Sequence, residues 1–146
     1  MLYNKLVMVD PQVLLVEDDA DTESLIIRAL RKIKVLEVAV ARDGQEAIEM
    51  IAGLSKAPNL VLLDLKLPKV DGFEVLLQLQ QRGFAEQCPI VVFSSEDSAT
   101  SFNRARSLGA AEYAVEPTNF EELQHTIERL AARYLQTSLT NSPTKS

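Results

Sequence analysis

Five short apolar runs, each followed by a segment of helical periodicity, constrain the fold of this chain more than any other feature. The third run shows no alternation of apolar and polar residues, which is typical of a strand in a parallel sheet covered on both faces. The second run is interrupted by Glu37 and is more typical of an edge strand. The runs are Val13–Val16, Val35–Val40, Leu60–Leu63, Ile90–Phe93 and Tyr113–Val115.

Apolar residues recur at helical spacing after each run. The stripes span Leu25–Ile33, Ala47–Ile51, Phe73–Leu79, Ala99–Leu108 and Phe120–Tyr134. Gly83 and Gly109 follow the third and fourth stripes, where a left-handed residue commonly ends a helix. The fifth helix has two candidate starts, a Thr118–Glu121 capping box or a cap at Asn119. This alternation predicts a doubly wound α/β fold with right-handed crossovers and helices on both faces of the sheet.

One domain accounts for the patterned part of the chain, because 146 residues are enough for one compact core and too few for two ordinary ones. We expect an N-terminal extension at residues 1–10, the α/β domain at residues 11–136 and a disordered polar tail at residues 137–146. Met8 is an alternative to Met1 as the start of the protein. No DNA-binding or enzymatic output segment is recognisable, so we expect any downstream action to pass through a protein partner.

The composition disfavours several function classes. A formal charge of −6 argues against non-specific nucleic-acid binding, which needs a basic face. No apolar run is long enough to span a bilayer, and the N-terminus lacks the pattern of a signal peptide. The single cysteine, Cys88, excludes an internal disulfide and is typical of a reducing compartment. We therefore expect a cytoplasmic protein that contacts neither nucleic acid nor membrane.

Acidic residues follow several of the predicted strands. Glu17 and Asp18 come directly after the first run, and Asp64 comes directly after the third. The fourth strand ends at Ser94 and the fifth at Glu116. In open α/β sheets, ligands bind outside the carboxyl ends of the strands, where the strand order reverses. If the first and third strands are neighbours, Glu17, Asp18 and Asp64 share one pocket.

Clustered carboxylates repel each other, by about 4 kcal/mol for two unit charges 4 Å apart at an effective dielectric near 20. Solvated acids in loops are common, yet adjacent acidic strand ends are more typical of a site for a hard cation, and oxygen ligands favour Mg²⁺. A metal beside a carboxylate makes that carboxylate usable as a phosphoryl acceptor, because the metal neutralises and aligns the incoming oxygens. The pattern therefore indicates Mg²⁺-dependent phosphoryl transfer to a carboxylate.

Three segments, VLLVEDDADTESLIIRAL, LVLLDLKLPKVDGFEVL and VVFSSE, resemble the receiver domain of bacterial two-component response regulators. The resemblance extends from about Gln12 to about Leu135. It implies a flavodoxin-like fold with a five-stranded parallel sheet of strand order 2-1-3-4-5, and a signalling protein and not an enzyme. The first segment is most similar to the phytochrome-associated group, and the chain resembles a stand-alone, single-domain receiver.

The resemblance implies a role for each residue of the predicted site. Asp64 matches the phosphoryl acceptor, which receives its phosphate from a histidine of a sensor kinase or from a phosphotransfer protein. Asp18 matches a direct Mg²⁺ ligand and Glu17 its partner, which often acts through water. The backbone carbonyl of Lys66 completes the protein ligands of the metal.

Two further positions match the switch that follows phosphorylation. Ser94 matches the hydroxyl that binds a phosphoryl oxygen, and Tyr113 matches an aromatic residue whose rotation accompanies activation. Packing in the core is an alternative role for Tyr113. Asp71 and Gly72 are assigned to the turn that opens the third helix. The last strand and the last two helices form the surface that the family commonly uses for docking a downstream protein or for a homodimer.

Glu116 departs from the family pattern, in which a lysine at this position pairs with the acceptor aspartate and later with the phosphate. One reading is that the Glu116 side chain extends into solvent and the site lacks a cation. In a second, Lys66 partly compensates and pairs with Glu96 or with Glu116. In a third, phosphorylation is lost and the chain is a pseudo-receiver that acts by protein binding alone. The retained acids and Ser94 favour phosphorylation over the third reading, because a discarded site has no physical reason to keep clustered charges.

Two expectations follow from the family at this position. We expect weak or short-lived activation, because Glu116 adds negative charge where the phosphoryl group must be held. We also expect a cis peptide bond between Glu116 and Pro117, since relatives usually have one there.

Enzymatic alternatives find little support in the residues. The chain contains neither a GxGxxG nor a GxxxxGK[S/T] segment, which disfavours dinucleotide and P-loop nucleotide sites. A phosphatase of the haloacid-dehalogenase kind would carry an aspartate where Lys66 stands. His125 lies far along the last helix, so no Ser–His–Asp triad is expected.

Overall fold

Five parallel strands alternate with five α-helices in residues 11–94 and 98–135, the part of the chain that this computed structural model describes. The strands are β1 (Val13–Val16), β2 (Val38–Ala41), β3 (Leu60–Leu63), β4 (Ile90–Ser94) and β5 (Glu112–Val115). The helices are α1 (Ala20–Lys32), α2 (Gly44–Gly53), α3 (Gly72–Gln81), α4 (Ala99–Ser107) and α5 (Phe120–Tyr134), and a 3₁₀ helix (Phe84–Glu86) precedes β4. The expected N-terminal extension and polar tail lie outside the described residues.

The strands pair in the order β2-β1-β3-β4-β5, which confirms the predicted flavodoxin-like topology. The strand order reverses at β1, which lies between β2 and β3. Val16, at the end of β1, is in register with Ala41 on one side and with Leu63 on the other. The residues that follow Val16 and Leu63 therefore emerge next to each other at the same edge of the sheet.

The sheet separates two hydrophobic cores, and successive residues of each strand enter opposite cores. Leu15 and Leu62 belong to the core with α1 and α5, whereas Leu14 and Leu63 belong to the core with α2, α3 and α4. Burial on both faces explains why these runs show no polar alternation. Each fully buried leucine stabilises the fold by about 1.5–3 kcal/mol. Within the described ranges, no helix is both long enough and apolar enough to cross a bilayer.

Two helix-end predictions are confirmed and one alternative is resolved. Gly83 and Gly109 adopt left-handed backbone conformations, with φ of 78° and 103°. α5 begins after Asn119, whose side-chain oxygen accepts a hydrogen bond from the Glu122 N–H at 2.9 Å. Asn119 and not Thr118 is therefore the cap of α5.

β2 begins at Val38 and not at Val35 as predicted. Lys34 has a φ of 71°, and the Val35 N–H donates to the Leu30 carbonyl oxygen at 2.9 Å. Val35 has a side chain typical of strands, but its N–H bonds to one of the last carbonyls of α1. It therefore belongs to the turn that ends this helix. The predicted edge position of β2 is confirmed.

The expected cis bond between Glu116 and Pro117 is wrong, because this peptide bond is trans. Trans is the lower-energy form of most X–Pro bonds. The expectation came from relatives with lysine at position 116. Glu116 continues the pairing of β5 in the trans form, since its N–H donates to the Ser94 carbonyl oxygen at 2.8 Å.

Gly72 allows the loop after β3 to pack directly on the backbone that carries Asp64. A Cβ atom at residue 72 would lie 2.5 Å from the Asp64 carbonyl oxygen and 2.5 Å from the Leu65 Cα. The preceding residue, Asp71, caps α3 by accepting a hydrogen bond from the Glu74 N–H at 3.1 Å. The predicted turn at Asp71 and Gly72 is therefore confirmed, and it lies against the acidic edge of the sheet.

Gly72→Ala is expected to lower the free energy of unfolding by about 1–3 kcal/mol, the usual cost of overpacking, because the added methyl group collides with backbone. Gly53→Ala is the matched control, since a Cβ at residue 53 meets no atom within 4 Å and alanine is the better helix former. Urea denaturation followed by circular dichroism measures both. Equal free energies of unfolding for the two variants would contradict the predicted collision.

Candidate functional site

Backbone pairing of the central strands holds two acidic residues side by side at the carboxyl edge of the sheet. The Glu17 N–H donates to the Ala41 carbonyl oxygen at 2.9 Å, and the Asp64 N–H donates to the Val16 carbonyl oxygen at 3.0 Å. The pairing therefore continues one residue beyond β1 and β3. Both side chains are almost fully buried, with relative exposures of 3% for Glu17 and 8% for Asp64.

Asp18 completes a cluster of three carboxylates, which we call the acidic cluster. One oxygen from each of Glu17, Asp18 and Asp64 lies within 4.8 Å of the other two. Asp18 is exposed, so the acidic cluster opens to solvent on one side. An octahedral Mg²⁺ ion binds oxygens at about 2.0–2.1 Å, which places opposite ligands roughly 4 Å apart. The three acids that the sequence singled out are thus brought together, and their oxygens suit a hard divalent cation.

The acidic cluster retains a proton at neutral pH when no cation is bound. Burial, followed by the charge of Asp64, raises the pKa of Glu17 to about 8. Burial also raises the pKa of Asp64, although a hydrogen bond from the Lys66 N–H, 3.1 Å from Asp64 Oδ1, opposes that rise. The Glu17–Asp64 pair therefore holds a proton more tightly than free carboxyl groups do, and a divalent cation must displace this proton when it binds.

Asp19, the third acid of the EDD sequence, has a structural role. Its carboxylate caps α1 by accepting hydrogen bonds from the Thr22 N–H at 2.8 Å and from the Thr22 hydroxyl at 2.7 Å. These bonds lower the pKa of Asp19. The Asp19 N–H in turn donates to Glu17 Oε2 at 3.2 Å, so the start of α1 is joined to the acidic cluster.

Lys66 contributes its backbone to the site and not its ammonium group. Its N–H donates to Asp64, while its side chain is exposed. Within residues 11–94 and 98–135, the Lys66 ammonium forms no ion pair with any acid, Glu116 included. The suggested alternative partner, Glu96, lies outside the described residues. The metal-ligand role of the Lys66 carbonyl stays a prediction.

Ser94 lies at the last position of β4 and is completely buried. It is in register with Val115 of β5. The Ser94 carbonyl oxygen accepts a hydrogen bond from the Glu116 N–H at 2.8 Å. The structure thus places Ser94 on the strand next to the one that carries Asp64. Its role toward a phosphoryl group stays a prediction.

Tyr113 lies in β5 and is half-buried against the core with α2, α3 and α4. Its ring meets the ring of Phe102 from α4 edge to face, with centroids 5.7 Å apart and an interplanar angle of 72°. Such a contact is worth about 0.5–1.5 kcal/mol beyond the area buried. Core packing is therefore a sufficient reason for Tyr113, and its switch role stays a prediction.

Glu116 adds a fourth carboxylate beside the acidic cluster. Its side chain is half-buried, and burial, followed by the charge of Asp64, raises its pKa. The charges of Asp19 and Asp18 act in the same direction, and an interaction with the Thr22 side chain opposes them. The reading in which Glu116 extends freely into solvent does not agree with this position.

Thr22 is the site residue that sequence reasoning missed. It belongs to the first turn of α1, where its hydroxyl donates to Asp19 Oδ2 at 2.7 Å, and its side chain opposes the raised pKa of Glu116. The apolar stripe that marks this helix begins only at Leu25, so periodicity carried no signal for Thr22. An aspartate followed three residues later by threonine at the start of a helix was the available signal, since such spacing is typical of an N-cap interaction.

A family profile described as "Response regulator receiver domain" matches residues 13–128. Among curated proteins, the "Probable methanogenesis regulatory protein FilR2" of Methanothrix harundinacea is 35% identical over 128 residues, which cover 84% of this chain and 83% of that protein. The "Two-component response regulator-like APRR5" of Arabidopsis thaliana is 33% identical over 88% of this chain, but the match spans 22% of that protein. The "Response regulator MprA" of Mycolicibacterium vanbaalenii is 34% identical, and the match spans 51% of it. Two of these three relatives are thus much longer than the matched region.

Solved structures with the same fold include two response regulators, one of them a phytochrome response regulator. The phosphorylated cyanobacterial phytochrome response regulator RcpA superimposes with a TM-score of 0.80 at 30% identity, covering 88% of this chain and 96% of that one. The Mn²⁺-bound form of response regulator Rcp1 superimposes with a TM-score of 0.77 at 28% identity, covering 87% and 96%. The likeness therefore extends over nearly all of both chains.

The pKa of Glu17 predicts how stability depends on pH when a chelator removes divalent cations. Below its ordinary pKa of 4.5, Glu17 is protonated in both the folded and the unfolded chain. Above that pH the unfolded chain ionises first, because the folded-state pKa is about 8. Stability is therefore expected to fall as pH rises from about 4.5 to about 8, as measured by Tm in EDTA-containing buffers.

Glu17→Gln is the control for this pH dependence, because it removes the group and retains the shape of the side chain. Its Tm should fall less between pH 5 and pH 8 than that of the parent protein. A residual fall is expected, since the raised pKa values of Asp64 and Glu116 act in the same direction. Identical pH profiles for parent and variant would contradict a raised pKa of Glu17.

Proposed function

The chain belongs to the response regulator receiver domain family, and we propose that it accepts a phosphoryl group on Asp64 from a histidine of a sensor kinase or of a phosphotransfer protein. Receiver domains take phosphate from histidine kinases, and they are signalling domains and not classed as enzymes. The observation that carries the proposal is the acidic cluster at the edge of the sheet, with carboxylate oxygens within 4.8 Å of one another. This cluster is consistent with the phosphoacceptor site of the family.

The donor set of the site supports a Mg²⁺ requirement. Glu17, Asp18 and Asp64, together with the carbonyl of Lys66, would hold the ion, which would neutralise the phosphoryl oxygens and align them for in-line attack. The proposal is further supported by Rcp1, a structural neighbour solved with bound Mn²⁺. Without a cation, the negative charge of the ionised acids would disfavour an incoming anion.

The position of Asp64 supports its proposed role as the phosphoryl acceptor. The Lys66 N–H donates to Asp64 Oδ1 and so restrains this carboxylate within the acidic cluster. Attack by an Asp64 oxygen on the phosphorus forms the acyl phosphate as the phosphorus–nitrogen bond of the donor breaks, and the imidazole leaves with the bonding electron pair. RcpA, another neighbour, was solved in a phosphorylated form, which supports acyl phosphate formation on this fold.

The output is proposed to pass through the surface formed by α4, β5 and α5. The hydroxyl of Ser94 would donate a hydrogen bond to the transferred group, and the Tyr113–Phe102 pair would change its packing in response. Val115 and Phe102 leave apolar surface exposed on these elements, with relative exposures of 48% and 37%. A downstream protein, or a second copy of this chain in a homodimer, would bind there, in the cytoplasm.

Glu116 supports a second candidate function, a pseudo-receiver that binds its partner without phosphorylation. Its half-buried carboxylate interacts electrostatically with Asp64, so it places negative charge close to where a phosphoryl group would stand. In this alternative, the acidic cluster would bind a divalent cation but Asp64 would not be modified. The two functions are separated by a direct test of phosphorylation.

Incubation with acetyl phosphate and Mg²⁺ is expected to add the mass of one phosphoryl group to the protein, measured by intact-mass spectrometry. Asp64→Asn should remain unmodified, because the amide is not a nucleophile of this kind, and a chelator should prevent modification of the parent. If the parent stays unmodified while calorimetry shows that it binds Mg²⁺, the pseudo-receiver function replaces the first proposal.

Glu116→Lys is expected to lengthen the half-life of the phosphorylated protein about threefold to tenfold, since it exchanges a nearby repulsive charge for an attractive one. Glu37→Lys is the matched control, because it makes the same charge change at an exposed position before β2, at the opposite edge of the sheet. The decay of the phosphoryl adduct after removal of the donor measures the effect. A parent half-life longer than that of Glu116→Lys would contradict the predicted role of the charge.

A further inference from the structure

An apolar groove lies at the edge of the sheet where β2 meets α2, and we call it the edge groove. It has a volume of about 450 Å³, within the range of about 300–1,000 Å³ that is usual for cavities that hold a ligand. It shares no residue with the surface formed by α4, β5 and α5, since β2 and β5 lie at opposite edges of the sheet. The side chains that give the edge groove its apolar character are Leu14, Leu36, Val38, Ala39, Met50 and Leu54.

Leu36 is left in water by the described part of the chain. It is 68% exposed, the highest value among the large apolar side chains that the structure describes. Among the described residues, β2 pairs with β1 alone, so the backbone groups on the other side of β2 meet no strand. Native proteins commonly cover such an edge with a loop or a helix, because an open apolar edge promotes association. The edge groove therefore has the character of a surface that another segment covers.

The N-terminal extension, residues 1–10, is joined directly to the edge groove. Pro11, the first described residue, lines the groove. The Gln12 N–H donates to the Glu37 carbonyl oxygen at 2.8 Å, which fixes the chain beside the start of β2. Ten residues reach at most about 33–36 Å when extended, which is ample for a cavity of this volume. Seven of the ten residues in MLYNKLVMVD are apolar, so the extension can supply the apolar side chains that the groove lacks.

Charge favours the same occupant. Glu37 and Glu49 line the edge groove and are exposed, and neither forms an ion pair with a described residue. The extension carries one cationic side chain, Lys5, and one acid, Asp10. The two glutamates attract Lys5 and would repel an acidic partner. Because exposed ion pairs contribute little free energy, the apolar contacts must provide most of the affinity.

Covalent attachment decides between this occupant and a separate molecule. A segment tethered beside its site has an effective concentration of about 1 mM, so it has an advantage of about a thousandfold over a second copy present at about 1 μM. We propose that the N-terminal extension binds in the edge groove of its own molecule, with its apolar side chains against Leu36 and Met50 and with Lys5 beside the two glutamates. This binding does not involve phosphorylation, so its test is independent of the proposed function.

Leu36→Ser in the full chain tests whether the edge groove is covered. If the extension covers Leu36, the substitution should lower Tm by about 2–5 °C, because it removes apolar contact. An uncovered side chain that is 68% exposed would leave Tm nearly unchanged. A Tm within about 1 °C of the parent value overturns the proposal.

A second pair of substitutions identifies the covering segment. Leu6 and Val7 are adjacent, so one of the two side chains faces the groove in either register of an extended chain. Leu6→Ser combined with Val7→Ser should lower Tm by a similar amount, and Leu36→Ser should then lower it little further. Fully additive losses of Tm would mean that the extension and Leu36 do not touch, which contradicts the proposal.

Paramagnetic broadening measures the contact without any change in the groove. A nitroxide is attached to the thiol of Asn4→Cys, since Cys88 is buried and does not compete for the label. The amide signals of Leu36, Ala39 and Gly53 should weaken, while those of β5, at the opposite edge of the sheet, should not. Equal signals with and without the nitroxide at these three amides would rule out binding of the extension in the edge groove.

A mixed sample distinguishes binding within one molecule from binding between two copies. Isotope-labelled protein without the nitroxide is mixed with nitroxide-bearing protein that has no isotope label. Unchanged amide signals in this mixture support binding within one molecule. Weakened signals of Leu36 would identify a second copy as the occupant and would overturn the proposal.

Discussion

Backbone pairing between β1 and β3 forces two buried carboxylates together, and the properties of the site depend on this constraint. The Glu17 N–H donates to Ala41 of β2 and the Asp64 N–H donates to Val16 of β1, so neither residue can withdraw without the loss of a backbone hydrogen bond of the sheet. Two charges at such distances repel by several kcal/mol in a partly buried setting. A proton on Glu17 or a divalent cation relieves that repulsion. The charge state of the site is therefore coupled to the stability of the fold, as the raised pKa of Glu17 shows.

A fourth carboxylate, Glu116, lies where the family resemblance predicts a lysine. Lys66 does not replace that cation within the described residues, because its side chain is exposed and unpaired with the acids. Burial, followed by the charge of Asp64, raises the pKa of Glu116 and so favours its protonated form. Charge compensation in this site is therefore left to protons and to a bound cation.

Local patterns predicted the elements with the simplest environments most accurately. β1 and β3 were predicted to the residue, because both are short apolar runs buried on both faces. The prediction for β2 began too early, since Val35 is as apolar as a strand residue but belongs to the turn that ends α1. The choice between Thr118 and Asn119 as the cap of α5 could not be made from spacing, because both side chains can accept the same kind of hydrogen bond. The expectation of a cis bond between Glu116 and Pro117 was wrong. It came from the family pattern, and Glu116 already departs from that pattern.

The sequence by itself determined the alternation of strands and helices, the covered parallel sheet and the presence of acids at neighbouring strand ends. These features depend on side-chain periodicity and on residues adjacent in the chain, which a sequence displays directly. Only the tertiary structure decided what each acid does. Glu17 is buried with Asp64, Asp19 turns back to cap α1, and Glu116 is half-buried near the acidic cluster instead of extending into solvent. Side-chain direction at a sheet edge depends on packing and charge among segments that are distant in sequence, and no local pattern records those contacts.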